Sequence, residues 1–297
     1  MSVIVIAGPT AVGKSALALR LALKHDAVIL CADAMTVYRG LEIGTAKPTA
    51  AERAEIPHFG LDLCAIDQEF SVADFLDLFD DVVHKHPRVI LVGGTHFYLN
   101  ALFHPMPAMP SADLQLRAKL QAQEDLYEQL QKHDPEIARR LHPNDTRRII
   151  RALEVFYSCG IPMSEVQKKT PKRKPLEAAA VWLERDDLRE RVFRRIDVML
   201  EQGYWAECER LVQEGWDRGC KPLLSFSYRY MLAALHGECT KQEAIERTGF
   251  GTWKLVRKQR TWGKGLGWPV VKPTEIEEWF NSHPPFIKRL KLHQEDC

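Results

Sequence analysis

The string Gly8-Pro9-Thr10-Ala11-Val12-Gly13-Lys14-Ser15 fits the pattern GxxxxGK[ST] at every fixed position. Its chemistry is phosphate binding. Glycines let backbone N–H groups curl around phosphate oxygens, and the helix that follows adds partial positive charge at its N-terminus. Lys14 supplies a point charge, and the Ser15 hydroxyl can hold a Mg²⁺ ion. The loop predicts a pyrophosphate or triphosphate site without saying which ligand carries the phosphates.

Two further groups fall where such a site needs partners. Asp33 follows the apolar run Ala27–Cys31. At the carboxyl end of a parallel strand it would face the ligand crevice as a metal ligand or general base. The run Arg88–Val92 ends in Gly93-Gly94-Thr95. Many phosphate-loop ATPases place a Mg²⁺-ordering aspartate there. Glycines suggest instead a close approach of backbone to ligand, with the Thr95 hydroxyl as a donor.

Basic residues recur later in the chain. Arg147, Arg148 and Arg151 lie within about 100° on one side of a predicted helix over 146–158, opposite Ile149, Leu153 and Phe156. Lys254, Arg257, Lys258, Arg260 and Lys264 interleave with Trp253 and Trp262, a mixture suited to gripping phosphates and stacking bases. Arg191 and Arg195 share a helix face at i,i+4, and solvated surface charge explains that pair as well as function does.

The elements that must position these groups read as an α/β protein. Val3–Ala7 is a short β-branched run of the kind that makes a buried parallel strand, and Ala16–Leu23 has helical spacing. The 297 residues are 45% hydrophobic and 27% charged, which excludes a disordered or collagen-like chain. The net charge of +1 names no partner, but residues 1–110 carry 8 basic and 12 acidic side chains while 111–297 carry 33 and 28. A polyanion would dock on the later part. Seven scattered cysteines without CxxC spacing suit a reducing cytoplasm. No apolar run reaches the length of a membrane helix, and no secretion signal precedes the first strand.

Taken in series, these residues resemble the tRNA dimethylallyltransferase (tRNA isopentenyltransferase) family. The matching strings are the phosphate loop; Asp33-Ala34-Met35-Thr36-Val37-Tyr38-Arg39-Gly40; Ile43-Gly44-Thr45-Ala46-Lys47-Pro48; Phe70-Ser71-Val72-Ala73-Asp74-Phe75; and Gly93-Gly94-Thr95-His96-Phe97-Tyr98. His142-Pro143-Asn144-Asp145, Arg151-Ala152-Leu153-Glu154-Val155 and Arg257-Lys258-Gln259-Arg260-Thr261-Trp262 follow in order. The resemblance implies a P-loop NTPase-like parallel sheet flanked by helices, with an inserted helical tRNA-binding domain. The core is expected at 1–112 and 186–297 and the insertion at 113–185. The implied reaction moves a dimethylallyl group from dimethylallyl diphosphate to N6 of adenosine 37 in tRNAs reading codons that begin with U. The protein would be a cytoplasmic monomer using Mg²⁺ at Ser15.

Carried over by position, Asp33 and Thr95 are the catalytic pair. Gly8, Thr10, Ala11, Val12, Gly13, Lys14, Ser15, Arg191 and Arg195 would hold the diphosphate. Contacts to tRNA would come from Asp33, Ala34, Met35 and Thr36 around the target adenine, from Arg147, Arg148, Ile149, Ile150 and Arg151, and from Arg257 and Lys258. The end of the chain lacks the zinc-finger extension of eukaryotic relatives, which points to the bacterial type. Ala34, Thr36 and Phe59 depart from the usual family residues, so contacts to the nucleotides around the target can differ. Rival readings are a small-metabolite kinase with Asp33 as base, a transferase acting on free AMP, and an RNA-binding protein with an idle phosphate loop.

Overall fold

A computed structural model of the chain describes residues 2–104, 107, 109–110, 112–170 and 173–282. The last residues of the chain, read above for the missing extension, lie outside the described residues. In chain order the elements are β1 (Ser2–Ala7), α1 (Lys14–His25), β2 (Val28–Ala32), α2 (Ala50–Glu55), β3 (His58–Phe59), α3 (Val72–Lys85), β4 (Arg88–Gly93) and α4 (His96–Phe103). Then come α5 (Leu114–Gln121), α6 (Leu126–His133), α7 (Pro135–Ala138), α8 (Thr146–Cys159) and α9 (Met163–Lys169). β5 (Ala179–Leu183), α10 (Leu188–Glu201), α11 (Tyr204–Gln213), α12 (Arg229–Leu235), α13 (Lys241–Gly265), β6 (Val270–Val271) and α14 (Ile276–Ser282) complete it.

The six strands form one parallel sheet in the order β3-β2-β4-β1-β5-β6. Continuous apolar runs such as Val-Ile-Val-Ile-Ala are buried on both faces, as parallel strands must be. Ile4, Ile6, Ile29, Ile90 and Val181 pack against Leu17 and Leu21 of α1, Val192 and Ile196 of α10 and Phe280 of α14. Helix α3 lies against β2 and β4. It starts at a capping box in which Ser71 accepts from Asp74 N, and it buries Phe75, Phe79 and Val82.

The register places the functional strand ends. Ala7 of β1 pairs with Gly93 of β4, and Gly93 pairs with Ala32 of β2. Three adjacent strands therefore end level. The residues that follow them are Gly8, Gly94 and Asp33, so the phosphate loop, the Gly-Gly-Thr turn and the aspartate emerge at one edge of the sheet.

The division of the chain differs from the expected 113–185. Residues 103–176 form one compact unit and the flanking segments form the other. The earlier boundary fails at its far end because β5, at Ala179–Leu183, is a sheet strand paired to β1 and β6. Its apolar run is only five residues long and directly follows a basic, proline-containing stretch, so it carries little periodic signal.

The helical unit is held by Leu120, Leu126, Leu130, Ile137, Ile149, Ile150 and Leu153. Glu154 is fully buried. Its carboxylate accepts from Asp113 N at 2.6 Å and pairs with Arg117 at 3.0 Å and Arg151 at 2.5 Å. A buried carboxylate needs such partners.

In the other unit a second apolar cluster gathers Val37, Tyr38, Leu41, Tyr204, Leu223 and Tyr228 under the loop of residues 36–48. Glu207 is its polar centre. One carboxylate oxygen accepts from Glu42 N at 2.9 Å and Ile43 N at 2.7 Å, and the other from Gly44 N at 3.0 Å and the Tyr228 hydroxyl at 2.8 Å. A Cβ on Gly44 would lie 2.5 Å from the Tyr228 ring and 2.8 Å from that of Tyr204. Both rings are fully buried, so Gly44→Ala should lower stability by about 1–3 kcal/mol or more, which a thermal melt will read directly.

Candidate active site

The phosphate loop leaves β1 and enters α1 through Gly13, whose φ of 101° lies in the left-handed region that suits glycine. Gly13 is also the N-cap of α1 and brings no side-chain cap. The first N–H groups of the helix are therefore open to an anion. Inside the loop Val12 N donates to Pro9 O at 3.4 Å, and Lys14 Nζ donates to Pro9 O at 2.7 Å. Lys14 is half-buried. Burial, with the neighbouring Arg195 charge, pulls its pKa down to about 7, and Asp33 opposes the shift.

A cavity opens over the loop. Thr10, Lys14, Ser15, Asp33, Arg195 and Gln259 supply its polar lining; Ala18, Ile29, Cys31, Ala46, Pro48 and Val92 supply an apolar one, with Thr36, Thr45 and His58 between. Burial pushes the Cys31 thiol up to about 12, with the Asp33 charge adding to the effect, so it stays protonated and behaves as an apolar wall. Arg195 Nη1 approaches Thr10 Oγ1 at 3.4 Å, and its pKa is held down by burial despite the Asp33 charge. Arg191 Nε donates to Ala11 O at 2.8 Å. The i,i+4 pair therefore faces the phosphate loop, with Arg195 lining the cavity and Arg191 bracing the loop from behind. Ala11 and Val12 are buried, so their side chains cannot meet a ligand. Thr10 N is committed to Gln259 Oε1 at 3.0 Å.

Asp33 closes an Asx turn, its Oδ1 accepting from Met35 N at 2.8 Å. Thr95 sits beside it. Thr95 Oγ1 accepts from Ala34 N at 3.0 Å and Thr95 N donates to Ala32 O at 3.2 Å. The Thr95 oxygen is an acceptor in the bond from Ala34 N, so its hydroxyl proton stays available to a ligand. Thr95 ties the Asp33 turn to the end of β4. Ala34 and Met35 are half-buried next to it, whereas Thr36 is buried and donates to Gly60 O at 3.1 Å. The Thr36 hydroxyl pins the turn from below, and the residue also lines the cavity.

The loop after this turn is braced by four charges. Lys47, buried at the side chain, pairs with Glu42 at 2.9 Å and with Asp62, and Arg53 pairs with the same two carboxylates at 3.0 and 2.7 Å. This network and Glu207 hold Thr45, Ala46 and Pro48 as one wall of the cavity. Neither was singled out as functional from sequence; the four charges of the network follow no helix or strand period, and the backbone partners of Glu207 lie 163 to 165 residues away. Gln259 escaped notice for the same reason, although it stands inside a matched string.

On the helical unit, α8 begins at Asp145, whose side chain caps Arg148 N at 3.4 Å, and ends at Gly160 in the left-handed region. Arg147 and Arg148 are exposed, and Arg148 meets Asp145 at 3.3 Å. Arg151 is partly buried by its bonds to Glu154 and to Pro110 O. Ile149 and Ile150 are 1% and 5% exposed and belong to the core. Of the five expected RNA contacts on this helix, Arg147 and Arg148 are exposed, the second in an ion pair with Asp145, while Arg151 pairs with buried Glu154 and Ile149 and Ile150 pack in the core. Arg257 and Lys258 of α13 are exposed. Among the described residues no helix is long and apolar enough to cross a membrane.

Residues 36–265 match the family model described as IPP transferase. The tRNA dimethylallyltransferase 1 of Trichlorobacter lovleyi is 41% identical over 273 residues, covering 88% of this chain and 90% of that protein. Among solved structures, the tRNA isopentenylpyrophosphate transferase of Bacillus halodurans is 31% identical with a TM-score of 0.66 over 95% of each chain. A eukaryotic dimethylallyltransferase captured acting on tRNA is 27% identical with a TM-score of 0.78, covering 94% of this chain and 75% of its own. With most of its length matched by one family model, and a relative at this identity matched nearly end to end, the chain belongs to the IPP transferase family, that of the tRNA dimethylallyltransferases.

Proposed function

We propose that this chain is a tRNA-modifying transferase that moves a dimethylallyl group from dimethylallyl diphosphate to N6 of adenosine 37 in the anticodon arm, on tRNAs reading codons that begin with U. It would act as a cytoplasmic monomer. The observation that carries the reading is one cavity lined by two half-buried cations, a carboxylate and an apolar wall. A diphosphate bearing a short hydrocarbon matches the first and last, and a nucleophile losing a proton matches the carboxylate.

In the reaction a bond forms between N6 and the terminal allylic carbon as the carbon–oxygen bond to diphosphate breaks. Asp33 takes the proton that N6 loses. An exocyclic amine is a poor nucleophile, so neutralising the leaving group matters as much as the base. Lys14, Arg195 and the open N–H groups at the start of α1 face the charge that develops on the diphosphate. Adenine must leave its stack to reach Asp33. Thr95 contributes through Ala34, by fixing the turn that aims the carboxylate.

The donor set also suits Mg²⁺ of the kind that keeps waters and takes most of its ligands from phosphate oxygens. The Ser15 hydroxyl would hold the ion against the diphosphate, where it would spread the leaving-group charge.

Transfer of labelled dimethylallyl to unmodified tRNA, with AMP and ATP as parallel substrates, tests the reading. Label at adenosine 37 and none on AMP is expected. ATP turnover without labelled tRNA would replace it with a kinase. The RNA side has its own signature. Arg147→Ala with Arg148→Ala should reduce the slope of log affinity for tRNA against log salt by about two, one per lost phosphate contact. Arg151→Ala should leave that slope nearly unchanged and cost about 1–3 kcal/mol of folding stability, because it strips a partner from buried Glu154.

A further inference from the structure

Gln259 is 7% exposed, yet its carboxamide spans two loops that arise from different strands. Oε1 accepts from Thr10 N at 3.0 Å, and Nε2 donates to Gly94 O at 3.1 Å. The orientation of the amide is forced, since a backbone N–H only donates and a carbonyl only accepts. The first contact holds the loop that faces the diphosphate. The second holds the turn whose next residue, Thr95, ties down the Asp33 turn through Ala34. One side chain thus joins the leaving-group half of the cavity to the general-base half. Gly94 is shaped around it: a Cβ there would lie 2.7 Å from Gln259 Nε2.

Helix α13 does not need Gln259 to stay in place. Arg260 makes a bidentate pair with Glu184 and donates to Arg185 O at 2.7 Å. Gly263 packs so closely on Trp182 that a Cβ would come within 2.4 Å of the ring. These anchors fix the helix at the end of β5 and point Gln259 into the gap between β1 and β4.

We propose that Gln259 is a positioning residue which sets the distance between the diphosphate loop and the Asp33 turn. The inference rests on the reaction proposed above only for what the two halves do; the clamp itself can be tested without it. Gln259→Glu keeps an acceptor for Thr10 N and turns the other atom into an oxygen facing Gly94 O. Gln259→Met, of similar length, removes both bonds. Binding of inorganic diphosphate, single-turnover transfer and the thermal midpoint are measured for both variants.

The clamp predicts about tenfold weaker inorganic diphosphate binding for Gln259→Met. It also predicts a further fall in single-turnover rate at saturating donor for both variants, since each loosens the alignment with Asp33, with tRNA affinity retained. Gln259→Glu keeps the bond to the phosphate loop but places a negative charge in the cavity lining, so its diphosphate affinity falls as well, and the neutral Gln259→Met isolates the clamp. Wild-type diphosphate affinity and wild-type single-turnover rates in folded variants would overturn the proposal, as would a lower thermal midpoint with no other change. Should the wild-type protein transfer no prenyl group, the reaction reading fails while the diphosphate arm still decides the clamp.

Discussion

Asp33→Asn is expected to lower the single-turnover rate of transfer by about 10²–10⁴-fold, the range a positioned general base contributes, while affinity for tRNA stays within a few-fold. Asparagine is the informative replacement because it keeps the oxygen that accepts from Met35 N, and with it the Asx turn. The backbone that bears the group is also held by Thr95 at Ala34 N and by Thr36 at Gly60 O. Geometry is therefore preserved and only basicity is lost. Inorganic diphosphate should bind the variant as well as wild type or better, since Asp33 places a negative charge near Lys14 and Arg195. Equal transfer rates in variant and wild type, or a loss confined to tRNA binding, would remove Asp33 from the base role.

The parts legible in the sequence were those written in contiguous residues. The phosphate loop, Asp33 and Gly93-Gly94-Thr95 each combine a strand end with a short string, and in the structure β1, β2 and β4 end level to bring them to one edge. The helical period of α8 was equally readable and already set Ile149 on an inward face. Ile149 and Ile150 share the matched string with the arginines, but both side chains are buried in the helical unit. What stayed hidden depends on partners far along the chain. Gln259 meets Thr10 across 249 residues, and Glu207 meets Gly44 across 163. A single glutamine or glutamate carries no local pattern that says which backbone amides it will satisfy. Thr95 shows the limit from the other side. Its string marks the end of β4, but only the fold reveals that its oxygen faces Ala34 N.

Lys14→Met should change two quantities in opposite directions. kcat/KM for transfer should fall by about 10²–10³-fold, comparable to the loss of one preorganised group that stabilises developing charge. In the ligand-free protein the same variant should melt higher than wild type at pH 7. Lys14 is half-buried and donates to a neutral acceptor, Pro9 O, so its charge is poorly supported until a diphosphate arrives. Burial and the Arg195 charge bring its pKa to about 7 in the folded protein, against 10.5 for an ordinary lysine. Between those values the unfolded chain binds a proton that the folded protein has released, so wild-type stability rises with pH across that window. The stability advantage of methionine should accordingly be largest at or below pH 7 and shrink as pH approaches 10. Added inorganic diphosphate should reverse the order, because it stabilises wild type by mass action and binds the variant weakly. A variant that melts lower than wild type without ligand would mean that Lys14 supports the fold. A variant with unchanged kcat/KM would mean that Arg195 and the helix terminus neutralise the leaving group without it.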